Sequence, residues 1–297
     1  MLRIAPDSVV ALLRSQGPSI SVPGVTSCFL SMEEALDFKP NAVILAGPAS
    51  LHRAQAIAFA GCVDRMLIEK PLAATSEDSR LIRNALISSR CRAIVGYNLR
   101  YWSLLARFRE IIQEKSQGRL LRLECHVGQH LSSWRSGTDP SLSVSCQKKL
   151  GGGVFRELSH EIDYCHWICG TPIRVSGRSS RHLAYGDVED CADLWMDFSD
   201  GSHAVIHMDM IDHSKRRGLR AICELGTVEL DFMAPFLRVA GKELDLHDVP
   251  LLTSTYEKEL LDLLGNGDGS PAATPDDGVA VLEVIEAAEA FNKQHES

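Results

Sequence analysis

Glu69-Lys70-Pro71 follows an apolar run that ends in Met66-Leu67-Ile68. A lysine made rigid by the next proline at a strand end lies where open α/β sheets bind ligands, beyond the carboxyl ends of their strands. Such a lysine, partly desolvated beside a bound cofactor, can donate a proton or a hydrogen bond to a substrate oxygen. A surface lysine before a turn proline explains the same residues, so this motif alone leaves both interpretations open.

Glu157, His160 and Asp163 recur every three residues after the triple glycine Gly151–Gly153. In one continuous helix they would share a face, and a carboxylate beside a histidine holds the imidazole in one tautomer near neutral pH. Structural pairing on a half-buried helix is the alternative. The triple glycine lacks the lysine of a phosphate-binding loop, so it predicts a flexible helix entry.

Two other polar clusters resemble metal sites. Cys165, His166 and Cys169 are adjacent, but no second cysteine or histidine pair lies at the spacing of structural zinc sites. The other cluster comprises His207, Asp209, Asp212 and His213. Alternation along a strand would put His207 and Asp209 on one face, which is more typical of a solvated sheet than of a metal site. We therefore predict no metal.

Strands and helices alternate in the first part of the chain. The predicted elements are strand 8–14, a short acidic helix at 32–36, strand 41–46, helix 50–61, strand 64–69, helix 77–89, strand 92–97 and helix 103–116. This alternation predicts βαβ units and a parallel sheet. Ser76, followed by Glu77 and Asp78, is a suitable start for the helix that follows it.

The second part of the chain changes character. We predict strand 120–130, a helix from Gly151 to Cys169, five consecutive strands at 173–181, 190–198, 203–212, 217–224 and 227–232, and helices at 253–265 and 277–293. Consecutive strands without helices between them indicate an antiparallel sheet. The predicted fold is therefore α/β, an incomplete doubly wound, Rossmann-like parallel sheet (1–117) followed by an α+β domain with a mostly antiparallel open sheet (118–297).

Composition restricts the class of protein. The 297 residues suffice for two domains, and a net charge of −8 argues against nucleic acid as a partner. The apolar runs are too short to span a membrane, and the N-terminus lacks a secretory pattern. Nine scattered cysteines suit a reducing compartment, so we expect a cytoplasmic protein.

Four segments in order carry a resemblance to a known family. They are Ala42–His52, Glu69–Pro71, Gly96–Tyr101 and Gly151–Asp163. Together they resemble the Gfo/Idh/MocA oxidoreductases, which use NAD or NADP to oxidise or reduce sugars and related polyols. The resemblance extends over nearly the whole chain from residue 8 onward. Each motif alone is weak, whereas four in family order are specific.

The resemblance implies roles for individual residues. It puts Lys70 and His160 at the reacting carbon with Glu157 as the acidic partner, and it adds Arg100 and Asp163 to the substrate site. The implied cofactor contacts are Pro48, His52, Glu69, Lys70, Asn98, Trp134 and Arg135. In the family pattern the acid and the histidine are four positions apart, whereas here they are three apart. The resemblance also implies a homodimer or homotetramer formed through the C-terminal sheet.

One family feature is missing from this sequence. It contains no Gly-x-Gly-x-x-Gly loop, and residues 8–14 match the family's second strand, so we expect a βα element of roughly 25–30 residues to be absent. That loop holds the pyrophosphate at a helix N-terminus, so its absence should weaken dinucleotide binding. Arg14 and Ser15 end the predicted strand where the ribose is recognised, and a cation there favours NADP over NAD.

The sequence therefore predicts an NAD(P)-dependent dehydrogenase or reductase that transfers a hydride to or from a sugar, sugar nucleotide or polyol. The segment around Trp134 and Arg135, together with the run after Gly151, resembles family members of bacterial surface-sugar and nonulosonic acid pathways. Two alternatives remain open. In the first, the chain is a non-catalytic family member that binds a sugar or a partner subunit. In the second, its natural form is longer and carries the glycine loop.

Overall fold

Two small parallel sheets form the first part of the protein. The computed structural model describes residues 8–14, 23–134, 137, 139–244, 251–265 and 270–295. Strands β1 (Val10–Leu13) and β2 (Val25–Phe29) pair with each other, and β3 (Ala42–Leu45), β4 (Arg65–Ile68) and β5 (Arg92–Val95) pair in that order. The helices of this part are α1 (Met32–Asp37), α2 (Ala49–Ala60), α3 (Ser76–Ser89) and α4 (Ser103–Gln113). Since β4 is covered on both faces, it is apolar along most of its length.

Helix α3 shows how local sequence fixes an element. Its N-cap is Thr75, whose side chain accepts a hydrogen bond from the Asp78 N–H, and two carboxylates lie in the first turn. The helix begins at Ser76, one residue before the predicted start at 77, so Thr75 and not the predicted Ser76 caps it. The Ser76 N–H and hydroxyl instead donate to the Glu286 carboxylate, at 2.6 and 2.5 Å. This contact connects the first part of the chain with its last helix.

An eight-stranded sheet dominates the second part. Its strands are β6 (Leu120–Gly128), β7 (Arg174–Ser180), β8 (Cys191–Asp197), β9 (His203–Asp209), β10 (Arg216–Cys223), β11 (Thr227–Asp231), β12 (Phe236–Val239) and β13 (Lys242–Glu243). The spatial order is β13-β12-β11-β10-β6-β9-β8-β7, antiparallel throughout except for the parallel pair β6 and β9. Alternate β6 residues (Leu123, Cys125, Val127) are buried beneath helices, and the predicted fold class is confirmed.

The segment after the triple glycine differs from its prediction. It forms two helices, α5 (Val154–Glu157) and α6 (His160–Cys169), so the expectation of one continuous helix is wrong. The glycines are also packed tightly, not flexibly. A Cβ at Gly152 would overlap the Val144 carbonyl oxygen, and Gly153 has φ +110°, which disfavours any other residue. Close packing, which a sequence does not display, therefore explains these glycines.

The last two helices return to the first part of the protein. Helix α7 (Ser254–Leu264) covers one face of β4 and β5, where Leu263 packs with Leu67 and Ile94. Helix α8 (Pro275–His295) lies between α3 and β7. The division at residue 117/118 stays a prediction, because both helices contact the first part. Within the described ranges, no helix has the length and apolar character needed to cross a membrane.

Candidate active site

Lys70 lies directly after β4 and reaches the end of α5. A cis peptide bond joins it to Pro71. Its Nζ donates a 2.7 Å hydrogen bond to the Glu157 carbonyl oxygen and lies 3.8 Å from Glu157 Oε2. The side chains of both residues are about one-fifth exposed (19% and 21%), so the ammonium is only partly hydrated. Two residues that are 87 positions apart in sequence are thus in direct contact.

His160 is the first residue of α6, three positions after Glu157. Its ring meets Tyr97 edge-on, with the centroids 5.6 Å apart, and its buried Nδ1 has no hydrogen-bond partner within the described part of the chain. Desolvation, assisted by the charges of Arg217 and Lys70, holds the pKa of His160 well below its usual value. The imidazole is therefore neutral at neutral pH.

Glu157 occupies a different place from the one predicted. The helix breaks after Glu157, and the Glu157 carboxylate pairs with Lys70. The charges that act on the pKa of His160 are those of two cations, Arg217 and Lys70. The expectation that Glu157 and His160 share a helical face is therefore corrected. With the helix broken, Glu157 is the partner of Lys70, and His160 begins the next helix.

A buried ion pair fixes the start of α6, and sequence reasoning missed it. The Arg217 guanidinium donates from Nε and Nη2 to the two oxygens of Glu161, at 2.7 and 2.9 Å, and the Tyr164 hydroxyl donates to Glu161 Oε1 at 2.9 Å. Glu161 is fully buried. A bidentate pair of this kind gives a rigid orientation. Since 56 positions separate the two residues, no local motif signals the pair.

Arg100 and Asp163 also form a pair, deep within the protein. Arg100 donates from Nε and Nη2 to Asp163 at 3.0 and 2.7 Å, and the side chains are only 3% and 2% exposed. Asp277 on α8 lies 3.2 Å from the same guanidinium. This burial favours a positioning role, in which the pair holds α6 against the Asn98–Tyr101 turn and α8. Substrate contact by these two residues stays a prediction.

Several predicted cofactor residues cluster at the ends of β3 and β4. Pro48 is the N-cap of α2 and is half-buried. His52 is fully buried, with Nε2 3.0 Å from the Gly47 carbonyl and Nδ1 3.2 Å from the Pro71 carbonyl. Burial lowers the pKa of His52. His52 thus fastens the turn after β3 to the turn that carries Lys70.

Two more of the predicted cofactor residues, Trp134 and Arg14, have contacts within their own segments. Trp134 donates from Nε1 to the Gln129 carbonyl at 3.0 Å and packs against the core. The Arg14 N–H donates to the Phe29 carbonyl at 3.0 Å, which places Arg14 at the end of β1 as expected. Ser15 and Arg135 lie outside the described residues.

Helix α7 carries a buried carboxyl group, Glu259, on which the charge of Glu69 acts. Glu259 on α7 is 2% exposed, and its Oε1 has no hydrogen-bond partner within the described ranges. Burial, together with the charges of Glu69 and Asp262, raises the pKa of Glu259 to about 8. Burial also raises the pKa of Glu69, which the charge of Lys70 opposes. Glu259 is therefore largely protonated at neutral pH.

We expect Glu259→Gln to make the protein more stable at alkaline pH. The unfolded carboxyl loses its proton near pH 4.5 and the folded one near 8, so the free energy of unfolding falls as pH rises between these values. Glutamine has the same shape and no proton to lose. Urea unfolding should show a gain on the order of a few kcal/mol at pH 8.5 and almost none below pH 5. Glu257→Gln, on the exposed side of α7, is the control. Equal pH slopes for the wild type and Glu259→Gln would contradict this role.

The side chains of the two clusters that resembled metal sites contact other protein groups. Cys165 Sγ lies 3.1 Å from Cys125 Sγ in the core, and His166 Nδ1 lies 3.7 Å from Asp277. His207 lies between Asp193 and Asp209, at 2.7 and 3.1 Å. Throughout the described ranges, no three His, Cys, Asp or Glu side chains are grouped so that they could hold a metal ion.

Comparison with known proteins gives relatives over much of the chain. Levoglucosan dehydrogenase of Pseudarthrobacter phenanthrenivorans is 30% identical over 132 residues, which are 44% of this chain and 33% of that protein. The 2,7-anhydro-N-acetylneuraminate hydratase of Mediterraneibacter gnavus is 23% identical over 211 residues, 68% of this chain and 55% of that protein. The aligned segments thus span from a third to about half of these curated relatives.

Solved structures show the same fold. A levoglucosan dehydrogenase complex with NADH and levoglucosan superposes with a TM-score of 0.83 at 20% identity, over 96% of this chain and 88% of that one. Two family models also match. Residues 11–97 match the oxidoreductase family's NAD-binding Rossmann fold, and residues 105–229 match the GFO/IDH/MocA C-terminal domain. The two matches together cover well over half of the chain, which belongs to the Gfo/Idh/MocA family of oxidoreductases.

Proposed function

We propose that this protein is an NAD(P)-dependent sugar dehydrogenase or reductase, with Lys70 and His160 at the reacting carbon. The observation that carries the proposal is the contact of the partly desolvated Lys70 with Glu157 at the end of α5, close to the neutral imidazole of His160 at the start of α6. Bound NAD(P) supplies the hydride acceptor or donor. In the oxidation direction, Lys70 donates a hydrogen bond to the substrate oxygen and the neutral His160 takes up the hydroxyl proton.

The residues at the strand ends suit a dinucleotide. Pro48, Glu69 and Asn98 follow successive parallel strands, which is where open α/β sheets bind their ligands. A Cβ at Gly96 would lie 2.9 Å from Glu69 Oε2, so the backbone is compact at the end of β5. We propose that these residues contact the nicotinamide and its ribose, and that Arg14 favours the 2′-phosphate of NADP.

Titration with NADH and NADPH, followed by cofactor fluorescence, tests the proposal directly. We expect saturable binding of both cofactors, and we expect Arg14→Ala to weaken NADPH binding more than NADH binding because it removes the cation beside the ribose. Arg90→Ala, on an exposed helix end, is the control. If neither cofactor binds at millimolar concentration, the chain is not a dehydrogenase by itself, and a sugar-binding or partner-binding role becomes the better explanation.

The substrate is proposed to be a sugar or a sugar derivative. The relatives that support this act on levoglucosan and on 2,7-anhydro-N-acetylneuraminate, as their names state. The second name also supports the predicted connection with nonulosonic acids. Sugars of both kinds should therefore be included in the first activity screens.

We further propose a homodimer or homotetramer formed through the eight-stranded sheet, in the cytoplasm. The face of this sheet opposite the helices carries the half-exposed Trp195 among charged residues such as Arg220 and Glu124. All nine cysteines are free thiols, which suits a reducing compartment. Analytical ultracentrifugation of the wild type and of Trp195→Glu would test the proposed interface.

A further inference from the structure

His52, on α2, is a buried histidine that lies between two turns. It is 0% exposed, so it presents no surface that a bound cofactor or substrate could touch. Its Nε2 lies 3.0 Å from the carbonyl oxygen of Gly47, just after β3. Its Nδ1 lies 3.2 Å from the carbonyl oxygen of Pro71 and 3.3 Å from that of Leu72. The ring therefore joins the turn after β3 to the turn that carries Lys70.

The two turns compete for one proton of the His52 ring. Burial lowers the pKa of His52, so the ring is neutral at neutral pH and only one of its nitrogens carries a hydrogen. Gly47 is exposed, and water can satisfy its carbonyl oxygen. Pro71 and Leu72 are buried, and a buried carbonyl that loses its donor costs free energy. These environments favour the proton on Nδ1, which faces Pro71 and Leu72.

Helix α5 holds the other side of the segment that begins at Lys70. Lys70 Nζ donates to the Glu157 carbonyl oxygen at 2.7 Å, and Arg156 Nε donates to the Ala74 carbonyl oxygen at 3.0 Å. These bonds hold residues 70–74 against α5, while His52 holds the backbone of the same segment against α2. Since the Lys70 side chain starts from this backbone, a shift of the turn displaces the ammonium, and small displacements of a reacting group are costly in rate.

We infer that His52 is a positioning residue for Lys70, whose Nδ1–H holds the carbonyl oxygens of Pro71 and Leu72 and thereby keeps the ammonium where the substrate oxygen binds. This inference rests on the proposed function, because it assigns a further residue to the same site. The family resemblance assigned His52 to the cofactor. Its complete burial and its contacts with the backbone support an indirect role instead, which it exerts through Lys70.

Two amide substitutions at His52 distinguish between the two turns. The amide nitrogen of asparagine is bonded to Cγ, as Nδ1 is in histidine, so His52→Asn can still donate to the Pro71 carbonyl. The amide nitrogen of glutamine lies one bond farther out, as Nε2 does, so His52→Gln can donate to the Gly47 carbonyl instead. We expect His52→Gln to lower turnover at least tenfold and His52→Asn less than threefold, with NADH affinity within twofold of the wild type in both. Arg53→Gln, exposed on the same helix, is the control.

Acetylation by acetic anhydride reports the position of the Lys70 ammonium without cofactor or substrate. The Lys70 side chain is 19% exposed and hydrogen-bonded, so it should react slowly relative to the exposed Lys149. Mass spectrometry should show at least threefold faster labelling of Lys70 in His52→Gln and unchanged labelling in His52→Asn. Both variants remove the ring and introduce an amide, so a general loss of packing affects them alike. Equal labelling, or equal loss of turnover, in the two folded variants would overturn the inference.

A ¹⁵N NMR spectrum of the wild-type imidazoles decides the same question without any substitution at His52. At pH 8 we expect Nδ1 of His52 to carry the proton and Nε2 to lack one. A proton on Nε2 alone would overturn the inference, because Nδ1 would then have no hydrogen to donate. Loss of NADH affinity in both variants by the same factor as turnover would also overturn it, because His52 would then contact the cofactor. Failure of the wild type to bind NADH or NADPH counts against the proposed dehydrogenase, while the NMR and labelling results still decide the role of His52.

Discussion

Replacing Lys70 with alanine is expected to lower the turnover number by at least about 100-fold, the usual effect of losing a group that handles the reacting proton. The ammonium lies beside Glu157 and acts on His160, so its removal takes the hydrogen-bond donor away from the substrate oxygen. NADH affinity should fall much less than turnover, because Lys70 is only one of the proposed dinucleotide contacts and those of Pro48 and Asn98 are untouched. Steady-state kinetics and cofactor titration on the same preparation measure both quantities.

Two further variants distinguish the loss of a catalytic group from a general effect of replacing a lysine. Lys70→Arg keeps the charge but replaces a compact ammonium by a planar fork, so we expect intermediate activity. Lys149→Ala removes a lysine from the exposed segment before the triple glycine and should be fully active. A folded Lys70→Ala enzyme with wild-type turnover would show that the proposed role is wrong.

Local patterns allowed much of the fold to be predicted. The strands that end before Pro48, Glu69 and Gly96 were placed within two residues of their observed bounds, because their apolar runs and flanking turns are local signals. The broken helix before His160 was missed, because the break depends on how Gly152 and Gly153 pack against residues on other segments. The strands β2, β12 and β13 were missed as well, since short, mixed sequences carry little periodicity.

Some residues of the candidate site could likewise be predicted from local sequence, and others could not. Lys70 and His160 could be found from sequence because each belongs to a short motif at an element boundary. Arg217 and Glu259 could not, since β10 and α7 bring them close to residues that are far away in sequence. The pattern also gave no sign that His52, Arg100 and Asp163 are buried, because a polar residue looks the same in sequence whether it is paired in the core or exposed.

Arg100→Met is expected to destabilise the protein by about 3–5 kcal/mol at pH 8, the cost of leaving one member of a buried ion pair without its partner. Asp163 would lose both hydrogen bonds from Arg100. Asp277 would lose its ion pair with the same guanidinium but would keep its contacts with Thr274 and His166. Urea unfolding measures the loss. Arg107→Met, which removes exposed pairs on α4, should barely change the stability.

The loss in Arg100→Met should shrink as the pH is lowered, which identifies the unpaired charge as its cause. Burial already raises the pKa of Asp163 to about 6 in the intact pair, so the free energy of unfolding of the wild type falls as pH rises from about 4 to 6. Without Arg100 the pKa of Asp163 rises further and this fall extends to higher pH, so the two proteins diverge above pH 6. Adding Asp163→Asn to Arg100→Met removes the stranded charge and should restore part of the stability at pH 8. The alternative is that Arg100 stabilises the protein through packing against Trp167 and not through its charge. In that case the loss of stability would be the same at pH 5 and pH 8, and Asp163→Asn would not relieve it.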